Sequence, residues 1–209
     1  MVNRNHKKGN ETFITPYTER SFGEYTVNTH ATQVAEELEA DRQPILPFEL
    51  RMLEDKHEAH KIEQRDLGTS MTDAMSETSE TWHDNGAADA INAASRALGY
   101  RASVVIRGIR NGVEIPYPNA EDKQATMGSV IGVQFEGDDT SYPHFITGML
   151  REVPESIRSH IPDDSEIVTA GSPFGRAVLG CKAGEARTFS IRNGHKVTLN
   201  ITSVSQIRE

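Results

Sequence analysis

ELRMLEDKHEAHKIEQRDLGTSMTDA, residues 49–74, holds no proline and one glycine, and is dense in Glu, Lys, Arg, Leu and His. These are helix formers, and the run is longer than most globular helices. Starting just upstream, Leu46, Leu50, Leu53, His57, His60, Gln64, Leu67, Met71 and Ala74 follow one another in steps of four and three. That is a heptad seam with a polar middle, which needs a second helix to cover it. The partner lies downstream. Ile91, Ser95, Leu98, Ala102, Val105 and Ile109 repeat the same steps among small Ala residues that permit close approach. Between the two seams, residues 75–85 are polar and rich in Ser and Thr. The pattern predicts an antiparallel helical hairpin over residues 46–118, whose arms of roughly 28 residues project about 40 Å at the ~1.5 Å rise of a helix.

The end of the second arm admits two readings. The heptad steps carry a helix through Ile109, whereas Ser103–Ile109 is also β-branched and Asn111-Gly112 is a hairpin-turn dipeptide before Val113–Tyr117. Beyond it, Pro116, Pro118 and the polar residues 119–126 read as an interdomain link. From Gly128 the period changes to two. Strands are expected over 130–135 and 145–151, separated by an acidic turn, with 152–164 as a polar insertion bearing one short helix and 165–169 resuming an extended run. Ser172-Pro173 starts a short helix and Gly180 stops it. Asn193-Gly194 turns a hairpin in which Phe189 and Ile191 face Val197, Leu199 and Ile201. The fold class is α+β: a helical hairpin, then a small antiparallel sheet domain with a short helix over 126–209. Residues 1–45 lack sustained periodicity and read as a flexible extension, relieved by a short acidic helix over 33–42.

The 209 residues carry 22 Lys+Arg against 31 Asp+Glu, a net charge of −9, which disfavours an ordinary basic nucleic-acid binder. A mean hydropathy of −0.55 fits a chain part of which stays outside any core. No apolar run approaches the ~20 residues that cross a bilayer, and the first twelve residues are too polar for a signal peptide, so a soluble, cytoplasmic monomer with no membrane partner is expected. The single cysteine, Cys181, allows neither an intrachain disulfide nor a zinc site built on cysteines, and with no base near it in the sequence it reads as core.

The charge is unevenly spread. Between Arg65 and Arg96 there is no Lys or Arg, while Asp66, Asp73, Glu77, Glu80, Asp84 and Asp89 are all acidic; Arg96, Arg101, Arg107 and Arg110 follow before the next acid. In the hairpin, the acids form the tip near 77–86 and the arginines line the returning shaft. A solvated helix end accounts for such a cluster. Concentrated carboxylates on a rod also suit Mg²⁺, a hard cation that shares oxygen ligands with water and phosphate, and shaft arginines suit RNA.

The stretch SPFGRAVLGCKAGE, residues 172–185, resembles the Ser-Pro, Gly/Ala-Arg-Leu-Leu-Gly, Lys-x-Gly-Asp signature of the Gre-type bacterial transcript cleavage factors, GreA and GreB. The resemblance spans residues 46 to the C-terminus and leaves the first 45 uncovered. It implies a coiled coil followed by an FKBP-like α+β domain, with RNA polymerase core as partner. It further implies that the coiled coil enters the polymerase secondary channel, where tip acids help hold a second catalytic Mg²⁺ and orient water against the backtracked RNA 3′ end. The chain is then no enzyme itself and binds no cofactor stably. In the tip, Asp84-Asn85 fits the family's Glu-Asn pair, Thr81 stands where its first Asp belongs, Glu80 falls one residue early, and Gly86 and Ala87 replace the following Ala and Glu. The implied roles are tip acids for Glu80 and Asp84 with Asn85 beside them, Asp84 as the Mg²⁺ ligand, Ser172, Pro173, Phe174, Gly175 and Arg176 as partner contacts, and Arg96 and Arg101 as contacts to RNA or the channel.

Other residues have simpler readings. His57 and His60 fall on the seam, and with His83 they match no known metal spacing, so partly buried seam histidines are expected. Tyr142, His144, Phe145 and Phe174 either pack a small sheet domain or line an FKBP-type pocket. Two rival functions stand beside polymerase-assisted cleavage: a polymerase-binding inhibitor, and a folding module with a chaperone arm.

Overall fold

Two long helices set the shape. The computed structural model describes residues 29–77, 86–191 and 194–207. Helix α2 spans Pro47–Glu77, with proline at its first position, and α3 spans Gly86–Asn111. At ~1.5 Å per residue the first is about 46 Å long. Leu53 of α2 lies against Gly108 of α3, and further along Arg101 pairs with Glu63 at 2.8 Å. Sequence number thus rises along one helix as it falls along the other, and the two run antiparallel. Leu53, Leu98 and Val105 are buried between them as the heptad steps require, and Met71 and Ala74 are half-buried. The seam slips in two places: Gln64 is exposed while its neighbour Glu63 is half-buried, and Ser95 is exposed.

Of the two readings for residues 103–117, the helix holds through Asn111. The following strand β2, Gly112–Glu114, pairs in parallel with β1, Gln43–Ile45, instead of folding back on the helix. This overturns part of the expected flexible extension. Residues 29–45 form α1, Thr29–Glu39, and β1, with Val34 and Ile45 almost wholly buried. Ala31, Val34 and Leu38 supply an apolar stripe at helical spacing that the surrounding acids conceal in the sequence. Residues 1–28 lie outside the described residues. The expected link 119–126 is also corrected. Asp122, Ala125 and Thr126 are buried, and Ala125 exchanges main-chain hydrogen bonds with Cys181 and Gly180, each of 2.7 Å. The segment is part of the core wall.

The α+β class holds, with one five-stranded sheet in the order β5-β4-β3-β7-β6. Its strands are β3, Ser129–Phe135; β4, Ser141–Thr147; β5, Glu166–Thr169; β6, Ala186–Ser190; and β7, Lys196–Gln206. The sheet is mixed, not wholly antiparallel as expected, because β5 runs parallel to β4. A parallel neighbour needs a long crossover. Residues 148–165 supply it, carrying α4, Glu155–Arg158, and anchored by buried Ile157 and Ile161. Helix α5, Pro173–Val178, packs against β6 and β5, the two edge strands. Phe189 projects from one edge and Ile167 from the other to line a single cleft, so the sheet curls around α5.

Where α2 meets this sheet, one carboxylate gathers four amides. Glu49 is fully buried at the third position of α2. Its Oε2 accepts from the N–H of Leu46 and of Gly148, both at 2.8 Å, and its Oε1 accepts from Met149 at 2.8 Å and Leu150 at 2.7 Å. The Leu46 bond is one half of a capping box, and the other three donors come from the loop after β4. Burial pushes the Glu49 carboxyl above its ordinary range, and the four donors oppose that shift. Glycine is required at 148, where a Cβ would run into the Pro44 carbonyl and sit 2.7 Å from Glu49 Oε2. Leu46, Phe48 and Ile115 join Met127, Ile131, Phe145 and Leu199 in one apolar core.

A second polar tie fastens α1. His30 is buried, donating from Nε2 to the Pro116 carbonyl at 2.6 Å and accepting at Nδ1 from the Thr126 hydroxyl at 2.7 Å. Desolvation holds its imidazole below the ordinary value of 6.5, against the pull of the Pro116 carbonyl and Asp122.

Two outcomes follow for stability. In urea denaturation Ile45→Ala should cost about 2–5 kcal/mol, as a buried isoleucine does. Ile62→Ala, at a position 50% exposed, should change stability by no more than about 0.5 kcal/mol. A flexible segment at 45 would make the two alike. Because His30 is harder to protonate folded than unfolded, the stability it contributes is intact above pH 6.5 and is lost as pH falls below that value. The melting temperature of the wild type should therefore drop relative to His30→Gln between pH 7.5 and 5.5.

Candidate functional site

Three places in the fold carry the residues singled out by the sequence. The first is the far end of the helical pair. Glu80, Asp84 and Asn85, with Thr81, Trp82 and His83, lie outside the described residues, between the end of α2 at Glu77 and the start of α3 at Gly86. The flanking Asp66, Asp73 and Asp89 are exposed. Among the described residues no group of three His, Cys, Asp or Glu side chains could hold a metal ion.

The second is the shaft. Arg96 is exposed on α3, and Tyr100, Val104 and Arg107 follow it down the same face at helical spacing, with Tyr100 74% exposed. Arg101 points elsewhere. Its guanidinium is engaged by Glu63 across the pair, so it helps set the register of the helices as well as offering charge. His57 and His60 are half-buried in the seam, and among the described residues their buried Nδ1 atoms meet no hydrogen-bond partner.

The third is the motif helix. Ser172 is the N-cap of α5: its Oγ accepts from Gly175 N–H at 2.9 Å and donates to the Thr169 carbonyl at 2.7 Å. Pro173 takes the first helical position. Gly175 is buried, and a Cβ there would run into the Thr169 carbonyl, which explains glycine at this point of the motif. These bonds aim the two large side chains of the motif in different directions. Phe174 enters the cleft, stacked on His144 at 4.9 Å between ring centroids and edge-on to Phe189 at 5.8 Å. Arg176 turns toward α1, with Nη2 3.5 Å from the Leu38 carbonyl. A second cleft, of about 560 Å³, lies between α1 and α5, where Ala35 and Leu38 face Leu179 and Lys182.

The aromatic residues divide in the same way. His144 and Phe174 line the sheet's cleft, whereas Phe145 is fully buried in the main core and Tyr142 donates to Asp138 at 2.8 Å on an exposed turn. Cys181 is fully buried, its thiol is pushed up by desolvation, and it donates weakly to the Ala177 carbonyl at 3.4 Å, which is the environment of a packing cysteine. Among the described residues no helix is long and apolar enough to cross a membrane.

No protein-family model and no curated protein match the chain. Solved structures that overlay on it include GreA factor homolog 1 (Gfh1) of Thermus thermophilus, at 13% identity and TM-score 0.35, covering 78% of this chain and 98% of that one. Gfh1 of Thermus aquaticus overlays at 15% identity and TM-score 0.35 over 78% and 98% of the two chains. The elongation factor GreA/GreB of Nitrosomonas europaea does so at 16% identity and TM-score 0.31 over 56% and 92%.

Proposed function

We propose that the chain is a transcription elongation factor that binds bacterial RNA polymerase core, inserts its helical pair into the secondary channel and stimulates cleavage of backtracked RNA by the polymerase's own active site. The observation that carries the reading is the union of a rod with a docking module. Two antiparallel helices are fixed at their base to a curled sheet whose α5 is formed by the residues that resemble the Gre signature. In this reading the sheet domain is FKBP-like and docks at the channel rim through Ser172–Arg176. Arg96 on the shaft meets the displaced RNA 3′ end, with Arg101 already held by Glu63. The tip acids Glu80 and Asp84, beside Asn85, approach the polymerase's catalytic centre. The Mg²⁺ ions there belong to the polymerase and supply a Lewis acid and an activated water; Asp84 adds one oxygen ligand and positions that water. The chain itself is then no enzyme.

A second reading, a polymerase-binding regulator without cleavage stimulation, is favoured by one sequence observation: Thr81 stands where the family's first acid belongs. A stalled, backtracked elongation complex separates the two. Wild type should speed release of short 3′ RNA fragments, and Asp84→Asn should lower that rate about tenfold or more while polymerase binding is retained. Equal stimulation by Asp84→Asn removes the metal-ligand role. Blocked elongation without fragment release by the wild type selects the regulator.

A further inference from the structure

The two faces of the helical pair that look away from the seam carry opposite charge. Along α3, from residue 90 to its end, there are four arginines and no acid. Along α2 there are eight carboxylates against four Lys or Arg. Ile62 lies nine residues from Leu53, and Arg107 lies nine from Leu98, which is about two and a half turns of helix. Each therefore points away from the seam, and the two outer faces look in opposite directions.

On the outer face of α3, Arg96 and Arg107 bracket Tyr100 and Val104, which are 74% and 48% exposed. On the outer face of α2, Asp55 and Asp66 bracket Ile62, which is 50% exposed. All four charged residues are exposed, and none has an ion pair among the described residues. Of the cations beside the α2 acids, Lys61 is held by Glu58 at 2.9 Å, and Arg65 lies about 60° round the helix from Ile62. Arg96 to Arg107 is eleven residues and so is Asp55 to Asp66, about three turns or 17 Å. The two ladders match whichever way a second copy points, with Ile62 falling against Tyr100 or Val104 between the charge pairs.

We propose that these faces are the two halves of a contact between copies of this chain, the outer face of α2 in one copy lying on the outer face of α3 in the next. Asp55 and Asp66 pair with Arg96 and Arg107, and Tyr100 and Val104 cover Ile62 between them. Charge selects this pairing of the surfaces: α3 on α3 sets arginine against arginine, and α2 on α2 sets carboxylate against carboxylate. A polyanion reaches the α3 arginines only against the field of a chain of net charge −9, and it leaves the matching acidic face unexplained. Because the two faces lie on opposite sides of the pair, the contact is head-to-tail and extends beyond two copies. Exposed ion pairs around a small apolar centre make it weak and salt-sensitive. The contact does not rest on the elongation-factor reading. Where that reading holds, self-association covers Arg96 and competes with RNA for it.

Sedimentation equilibrium of the nuclease-treated, full-length chain tests it. In about 20 mM salt the weight-average mass should climb above the single-chain 23.1 kDa as the concentration rises to about 1 mM, and in about 500 mM salt it should fall back toward that value. Two double variants each reverse one face: Arg96→Asp with Arg107→Asp, and Asp55→Arg with Asp66→Arg. Alone, each should associate about tenfold more weakly or worse. Their equimolar mixture should recover association, because the two reversed faces again carry opposite charge, and misfolding of either variant cannot give that result. The single reversals Arg107→Asp and Asp55→Arg, alone and mixed, decide the matter if a double variant fails to fold. A mass fixed at 23.1 kDa throughout, variants that associate like the wild type, a mixture no more associated than its parts, or a mass that rises only when a single-stranded oligouridylate is added would overturn the proposal. None of these outcomes bears on fragment release from a backtracked complex, which tests the elongation-factor reading separately.

Discussion

The buried carboxylate of Glu49 constrains most of what surrounds it. A charge taken out of water must be fully hydrogen-bonded or it costs several kcal/mol. Here four backbone amides meet that demand, one from the start of α2 and three from the loop after β4. The arrangement dictates a glycine at 148, because the Pro44 carbonyl already fills the space of a side chain. It also brings β1, the first turn of α2 and the crossover toward β5 to one point. The helical pair is therefore not appended to the sheet by a tether. Its base shares the sheet's core through Leu46, Phe48 and Ile115.

That geometry bears on the proposed reach of the rod into a partner. Over about 46 Å of helix, a small rotation at the base displaces the tip by many ångströms, so a docked sheet can place a tip residue only if the base is held. Glu49 holds it on one side. On the other, α1 lies against both parts: His30 bonds Pro116 and Thr126, and the Leu38 carbonyl faces Arg176 of α5. Residues 29–45 thus reach the same short helix that carries the Gre-like motif. In the proposed polymerase complex they border the residues assigned to docking.

The helical pair was legible in the sequence because a heptad seam is a repeated signal, and Leu53, Leu98 and Val105 are buried where the steps put them. The Ser172 cap was legible because Ser-Pro before a helix has a local cause. What escaped was non-local. Glu49 sits in a helix crowded with acids, and nothing in its neighbours reveals that Gly148, Met149 and Leu150 will turn their amides toward it. Val34 is one apolar residue among several acids, and its burial depends on a core built from segments far along the chain. The parallel placement of β5 was missed because period-two alternation gives the faces of a strand but not its direction. Asp122 and Thr126 looked like linker residues, since a buried polar residue and an exposed one are the same letter. For the candidate site, the sequence located α5 but not the opposed directions of Phe174 and Arg176. The tip residues Glu80, Asp84 and Asn85 lie outside the described residues.

Amide hydrogen exchange on the full-length chain, comparing wild type with Glu49→Gln, tests the central claim that this carboxylate locks the helical pair to the sheet. A glutamine keeps the size of the side chain but offers one acceptor oxygen and an NH₂ that faces donors. The account predicts that Gly148, Met149 and Leu150 are protected in the wild type, and that all three exchange at least about tenfold faster in the variant, together with the first turn of α2. Wild-type amides at 148–150 that exchange as fast as an open loop, or a variant whose protection is unchanged, would contradict it.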